Sequence, residues 1–119
     1  MPMYSESNVT IIVSDMKKAL AFYRDALGFN FVRGFGDEWQ EVEAPGVRIG
    51  LHPGGKAPLI EHSRHMSIGL RVDDLDAAMK TLGEQGIRFT SMPKDRGSRI
   101  ANFTDPDGNP LYLIEIKWG

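Results

Sequence analysis

The sequence predicts an α+β protein made of two β-α-β-β-β modules, and three observations lead there. A β-branched run, Val9-Thr10-Ile11-Ile12-Val13, leads into a helix-start signal at Ser14-Asp15 and an apolar stripe of helical period. The same order recurs in the second half, beginning at Ile68-Gly69-Leu70-Arg71-Val72 and Asp73-Asp74. Runs of strand length separated by Gly- and Pro-rich turns fill the rest of each half.

In the first module, Asp15 or Ser14 caps the helix, because a short side-chain oxygen accepts from unpaired backbone N–H groups. Met16, Ala19, Leu20, Tyr23, Ala26 and Leu27 lie on one helical face, and Gly28 supplies the left-handed stop. Phe29 and Phe31 open a second strand, Arg33-Gly34-Phe35-Gly36-Asp37 reads as a turn, and Glu38–Glu43 has the length of a third strand. Ala44-Pro45-Gly46 is a turn signal, and Val47–His52 alternates as a strand with one buried face should.

The second module repeats the plan. Leu75, Ala78, Met79 and Leu82 form the helix face, Gly86 stops it, and Ile87–Thr90 is the returning strand. Residues 91–97 read as a loop, Ser98–Thr104 and Leu111–Ile116 as strands, and Asp105–Pro110 as a tight turn. Module one therefore spans about residues 8–53, a linker 54–64, and module two about 65–117, within a single domain 1–119.

The bulk composition narrows the partners. With 119 residues, 41% hydrophobic and 25% charged, the chain can bury a real core. A net charge of −2 gives no electrostatic reason to expect nucleic acid or an anionic membrane surface. No apolar run approaches the roughly 20 residues of a membrane span, and residues 1–8 lack the basic and apolar parts of a signal peptide. Zero cysteines exclude disulfides and thiolate metal sites, and a cytoplasmic protein is expected.

Paired modules carrying VSDMKKALAFYRDALGF in the first and DPDGNPLYLIE in the second resemble the vicinal oxygen chelate superfamily of glyoxalases, bleomycin-resistance proteins, fosfomycin-resistance enzymes and extradiol dioxygenases. The resemblance covers roughly residues 8–117. It implies a glyoxalase-like fold, with curled mixed sheets that form a cleft. Metal-using members place one ligand in the first and one in the last strand of each module. Carried over, those places are Asn8, Gly50, Ser67 and Tyr112. None is a usual ligand for a catalytic divalent ion, which calls for imidazole nitrogen or carboxylate oxygen.

Residues two apart on a strand share a face. Thr10, Ile12, Arg48, His52, His65, Gly69, Arg71 and Ile114 therefore belong with the four family places. Val9/Ile11/Val13, Ile49/Leu51, Met66/Ile68/Leu70/Val72 and Leu111/Leu113 face the helices. His52 and His65 read either as a displaced metal site or acid–base pair, or more simply as solvated histidines at a rim. Arg48 and Arg71 either hold an anionic ligand or, by a slight preference, pair with Glu38, Glu41 or Glu43. Tyr112 either donates its hydroxyl or fills the metal's place, and filling is the simpler reading. Glu115 has the parity of the helix side. Trp39, Phe35 and Phe103 suit a flat ligand but are expected in the core, and Asp105–Asn109 is expected to be turn chemistry.

The expected function is a small-molecule binding protein of the bleomycin-resistance type, without a functional metal or other cofactor. Thr10, Arg48, His52, His65, Ser67, Arg71 and Tyr112 would line its cleft. The alternative is a metal-dependent glyoxalase-like lyase, isomerase or dioxygenase recruiting His52 and His65. A third reading is an interaction scaffold. The resemblance also implies a homodimer in which module one of one chain meets module two of the other.

Overall fold

A computed structural model describes residues 3, 5–54, 66–90 and 98–116. The chain falls into two compact units, Met1–Leu59 and Ile60–Gly119. In the first, β1 (Val9–Val13) leads to α1 (Met16–Leu20), a π-helical continuation (Ala21–Ala26), β2 (Asn30–Phe35), β3 (Trp39–Ala44) and β4 (Val47–Pro53). The sheet order is β1-β4-β3-β2, with β1 parallel to β4 and the other pairs antiparallel.

Asp15 is the N-cap, its carboxylate accepting from Lys18 N at 3.1 Å. The expected single α-helix over Met16–Leu27 changes character halfway: Leu27 N donates to Phe22 O at 2.8 Å, five residues back. Tyr23 is fully buried there, with Phe22 edge-on at 5.0 Å and Phe29 at 5.9 Å. Gly28, at φ +80°, ends the helix, and Phe29 N reaches back to Tyr23 O at 3.0 Å.

The reading of Arg33–Asp37 as a turn is corrected. Arg33-Gly34-Phe35 continue β2, and the chain turns only at Gly36–Glu38, where Glu38 N donates to Phe35 O at 3.1 Å. Gly34 is a strand glycine because the Gln40 side chain, donating to Gly36 O, occupies the space a Cβ would need.

The core of this unit lies between sheet and helix: Ile11, Val13, Val42, Ile49 and Leu51 meet Met16, Ala19 and Tyr23. The exception to the expected parity is Val9, 36% exposed at the start of its strand.

In the second unit β5 (Ile68–Arg71), α2 (Leu75–Glu84), β6 (Ser98–Thr104) and β7 (Pro110–Ile116) form a sheet of order β5-β7-β6. Its first and last strands, β5 and β7, are parallel, as β1 and β4 are. Asp74 caps α2 by accepting from Ala77 N at 3.0 Å, and Glu115 accepts from Leu75 N at 2.9 Å. Two expectations are corrected here. Ile87–Thr90 belongs to no strand among the described residues; it is anchored by Thr90 N donating to Asn102 O at 2.7 Å and by Phe89 packing on Phe103 at 5.4 Å. Without a continuing ladder, Ile87 N donating to Leu82 O, the two Thr90 bonds to Asn102 O and side-chain packing do that work. Met66, expected on the helix side, precedes β5 and is 67% exposed.

Leu111 and Leu113 are buried as expected, with Ala101 and Phe103 of β6 and Leu75 of α2. The β6–β7 turn is built by Asp105, which is 4% exposed. Its carboxylate accepts from Asp107 N at 2.9 Å, Asn109 N at 2.8 Å and Asn109 Nδ2 at 2.8 Å. The expected loop 91–97 and nearly all of the linker lie outside the described residues. No helix among the described residues is long and apolar enough to cross a membrane.

Candidate functional site

Each sheet has one side given to its helix and one side free of it, and the free side carries the polar and aromatic residues. In the first sheet, strand pairing sets Thr10, Gly50, Glu41 and Arg33 in one row across β1, β4, β3 and β2. The neighbouring row holds Ile12, His52, Trp39 and Phe35, with Ile12 opposite His52 and Trp39 opposite Phe35. Trp39 and His52 meet edge-on at 6.3 Å.

Gly50, one of the places carried over from the resemblance, lacks a side chain for a physical reason. The Trp39 indole lies over it: a Cβ built at Gly50 would overlap the ring, and even Cζ3 would be only 3.0 Å away. Ordinary carbon contacts are about 3.5–4.0 Å. The indole N–H donates to Glu41 Oε1 at 2.8 Å, which holds the ring in this position. Glu41 is 6% exposed, and its other oxygen, Oε2, is buried without a hydrogen-bond donor; Arg33 Nε stands 3.6 Å from it.

Asn8 accepts from the Thr10 hydroxyl at 3.3 Å. Arg48 pairs with Glu43 at 3.3 Å and also with Glu6, so the pairing expectation holds for this arginine. His52 is exposed near the end of β4.

The free side of the second sheet repeats the aromatic cover. Gly69 pairs with Tyr112, which pairs with Asn102, and Arg71 pairs with Ile114, which pairs with Ile100. The Tyr112 ring lies over Gly69, where a Cβ would come 2.6 Å from Cε2. Ser67 donates to Pro110 O at 3.3 Å. Arg71 differs from Arg48: its contact is a long one, donated to Ile116 O at 3.5 Å, with no carboxylate partner among the described residues. Glu115 points to the helix side, 3.8 Å from Arg99, which also holds Asp76 at 3.1 Å.

Thr10, Arg48 and His52 thus share one face, and Ser67, Arg71 and Tyr112 share another; His65 lies outside the described residues. Sequence reasoning did not single out Glu6 or Arg33, named Glu41 only as a partner for Arg48 or Arg71, and expected Trp39 and Phe35 in the core. Phe103 is there, at 1% exposure, whereas Phe35 is 67% exposed on the edge strand β2. Glycines in the middle of β4 and β5 were the available signal for the aromatic cover. In the π-helical continuation of α1, the hydrogen bond from Arg24 holds the Asp25 carboxyl below its ordinary value, and the same bond raises Arg24.

Residues 7–113 match the family model described as the glyoxalase/bleomycin resistance protein/dioxygenase superfamily. The chain belongs to this superfamily. It is 32% identical to the uncharacterized protein YaeR of Escherichia coli (strain K12), over 91% of this chain and 93% of that one. A superfamily member of known structure from Sphaerobacter thermophilus is 34% identical, with a TM-score of 0.67 over 96% of this chain and 99% of that one. The fosfomycin resistance protein FosX from Mesorhizobium loti, at 19% identity, shares the fold with a TM-score of 0.73, over 96% and 93% of the two chains.

The donor chemistry of this superfamily member can be compared with what a metal would require. The four family places offer an amide already bonded to Thr10, a glycine under an indole, a hydroxyl bonded to Pro110 O, and a phenol folded over Gly69. Among the described residues, no three His, Cys, Asp or Glu side chains converge as a metal-holding group. These four places do not fit a catalytic divalent ion.

Proposed function

We propose that this superfamily member is a small-molecule binding protein of the bleomycin-resistance type, taking a flat organic molecule on a helix-free sheet face. It would hold no catalytic metal at the family places. The observation that carries this reading is the filled space. Trp39 lies over Gly50, and Tyr112 folds over Gly69; Gly50 and Tyr112 are two of the places that the resemblance assigns to metal ligands, so aromatic surface in their stead supports this reading. Aromatic walls with a few placed polar groups are the usual anatomy of an organic ligand site. Thr10, His52, Ser67 and Arg71 supply such groups, and His65 and Arg48 complete the set expected from sequence. In this reading the protein is a homodimer, as the resemblance implies, and cytoplasmic, as the absence of cysteine suggests; analytical ultracentrifugation checks the dimer.

The test is elemental analysis of protein purified without a tag, followed by titration with Ni²⁺, Zn²⁺, Mn²⁺ and Fe²⁺. The expected result is no stoichiometric metal and no binding at micromolar ion. Near-stoichiometric metal that disappears in His52→Ala or His65→Ala would overturn the reading and point to metal-dependent lyase, isomerase or dioxygenase chemistry.

A further inference from the structure

The face of the first sheet holds one residue that comes from outside the sheet. Glu6, three positions before β1, accepts from Arg33 Nη2 at 2.8 Å and also pairs with Arg48. Arg33 is on β2 and Arg48 on β4, with β3 between them. A single carboxylate thus bridges two arginines on strands that are not neighbours, and the segment Ser5–Ser7 lies across the face. Ser5, Ser7, Glu43 and Arg48 are among the residues lining a groove of about 320 Å³ beside it. Two guanidinium groups converging on one carboxylate are a recognition geometry for an organic acid, since each presents planar N–H donors matched to such oxygens.

Two further observations bear on what Glu6 is doing. Arg33 is shared: Glu6 has it at 2.8 Å, while the buried Glu41 Oε2, which lacks a hydrogen-bond donor, stands 3.6 Å from Arg33 Nε. The Arg33 and Glu6 side chains are themselves about half exposed, at 46% and 50%. Exposed ion pairs are weak, so what holds this segment down is readily exchanged. The fold does not depend on Glu6, because each arginine keeps another carboxylate, Arg48 with Glu43 at 3.3 Å and Arg33 with Glu41. Beside the pair, Phe35 is 67% exposed and Trp39 half-buried, an apolar wall for a flat body.

We propose that Arg33 and Arg48 form the anion-binding pair for a flat organic monoanion, a carboxylate or sulfonate, and that Glu6 is its built-in, displaceable occupant. The proposal rests on the reading that this face binds small molecules, and it names the ligand class. An incoming monoanion replaces Glu6 charge for charge, its acid group between the arginines and its ring against Trp39 and Phe35. Glu6 competes from within the same chain, so it lowers the apparent affinity by the fraction of molecules in which it is docked.

The probes are 8-anilinonaphthalene-1-sulfonate and its uncharged analogue N-phenyl-1-naphthylamine, titrated by fluorescence into the full chain, Glu6→Gln and Glu6→Ala. Urea midpoints confirm that each variant is folded. From the strength of exposed ion pairs, both variants are expected to bind the sulfonate about three- to tenfold tighter. Binding of the uncharged probe stays the same, and adding Arg48→Gln removes the gain. If both probes bind the wild-type chain and the sulfonate affinity is unchanged in folded Glu6 variants, the displaceable occupant is overturned while the binding face stands. If neither probe binds the wild-type chain or any folded variant, the small-molecule face is overturned, and this proposal with it.

Discussion

Gly50→Ala tests the aromatic cover most directly, because the substitution carries opposite signs in two backgrounds. Gly50 has no left-handed backbone, so an alanine there meets no conformational obstacle. In open space the change would stabilise by about 0.4–1 kcal/mol, through loss of freedom in the unfolded chain. In the wild-type chain the new methyl group overlaps the Trp39 indole. If the ring stays, overpacking costs about 1–3 kcal/mol. If it swings away, the indole N–H no longer reaches Glu41 Oε1, and both oxygens of this buried residue's carboxylate lack a hydrogen-bond donor. That also costs about 1–3 kcal/mol. Either route, less that stabilising gain, leaves a net loss of about 1 kcal/mol. With Trp39→Ala already present, the same Gly50→Ala is expected to be neutral or stabilising. Urea denaturation followed by circular dichroism on the four chains of this cycle measures the coupling, expected at about 2 kcal/mol against roughly 0.5 kcal/mol for independent sites. An equal cost in both backgrounds would refute the placement of the indole over Gly50.

The second sheet makes the parallel prediction: Gly69→Ala destabilises by about 1–3 kcal/mol, and the penalty vanishes with Tyr112→Ala in the same urea assay. Asp105→Ala removes the acceptor for two backbone N–H groups and the Asn109 amide in a buried turn. A loss of about 3 kcal/mol is expected; a shift below about 1 kcal/mol would show the turn is held some other way. Glu115→Gln weakens the acceptor at the first turn of α2 and its pairing with Arg99. It should cost about 1 kcal/mol, while metal and probe binding stay unchanged, because Glu115 is on the helix side.

The repeated strand–cap–helix order was legible because each part is local: a β-branched run, an Asp whose side chain reaches the third residue on, and a glycine at positive φ. Strand parity was legible for the same reason, and it placed Glu115 correctly. The errors occur where distant contacts override local preference. Arg33-Gly34-Phe35 has turn composition, yet pairing with β3 and the Gln40 side chain over Gly34 keep it extended. Ile87–Thr90 has strand composition, yet no ladder carries it among the described residues. Phe35 reads as core but sits on an edge strand, where it is 67% exposed among the described residues.

The chain's residues by themselves determined the α+β class, the internal repeat, the family resemblance and the lack of ordinary metal ligands at the four family places. All of these depend on residue type and spacing. Only the tertiary structure decided what occupies those places. That Trp39 covers Gly50, that Tyr112 covers Gly69, and that Glu6 joins Arg33 to Arg48 depend on register between strands and on side-chain direction. The members of each set are separated in sequence, and the pairing of strands within each sheet brings them within reach of one another.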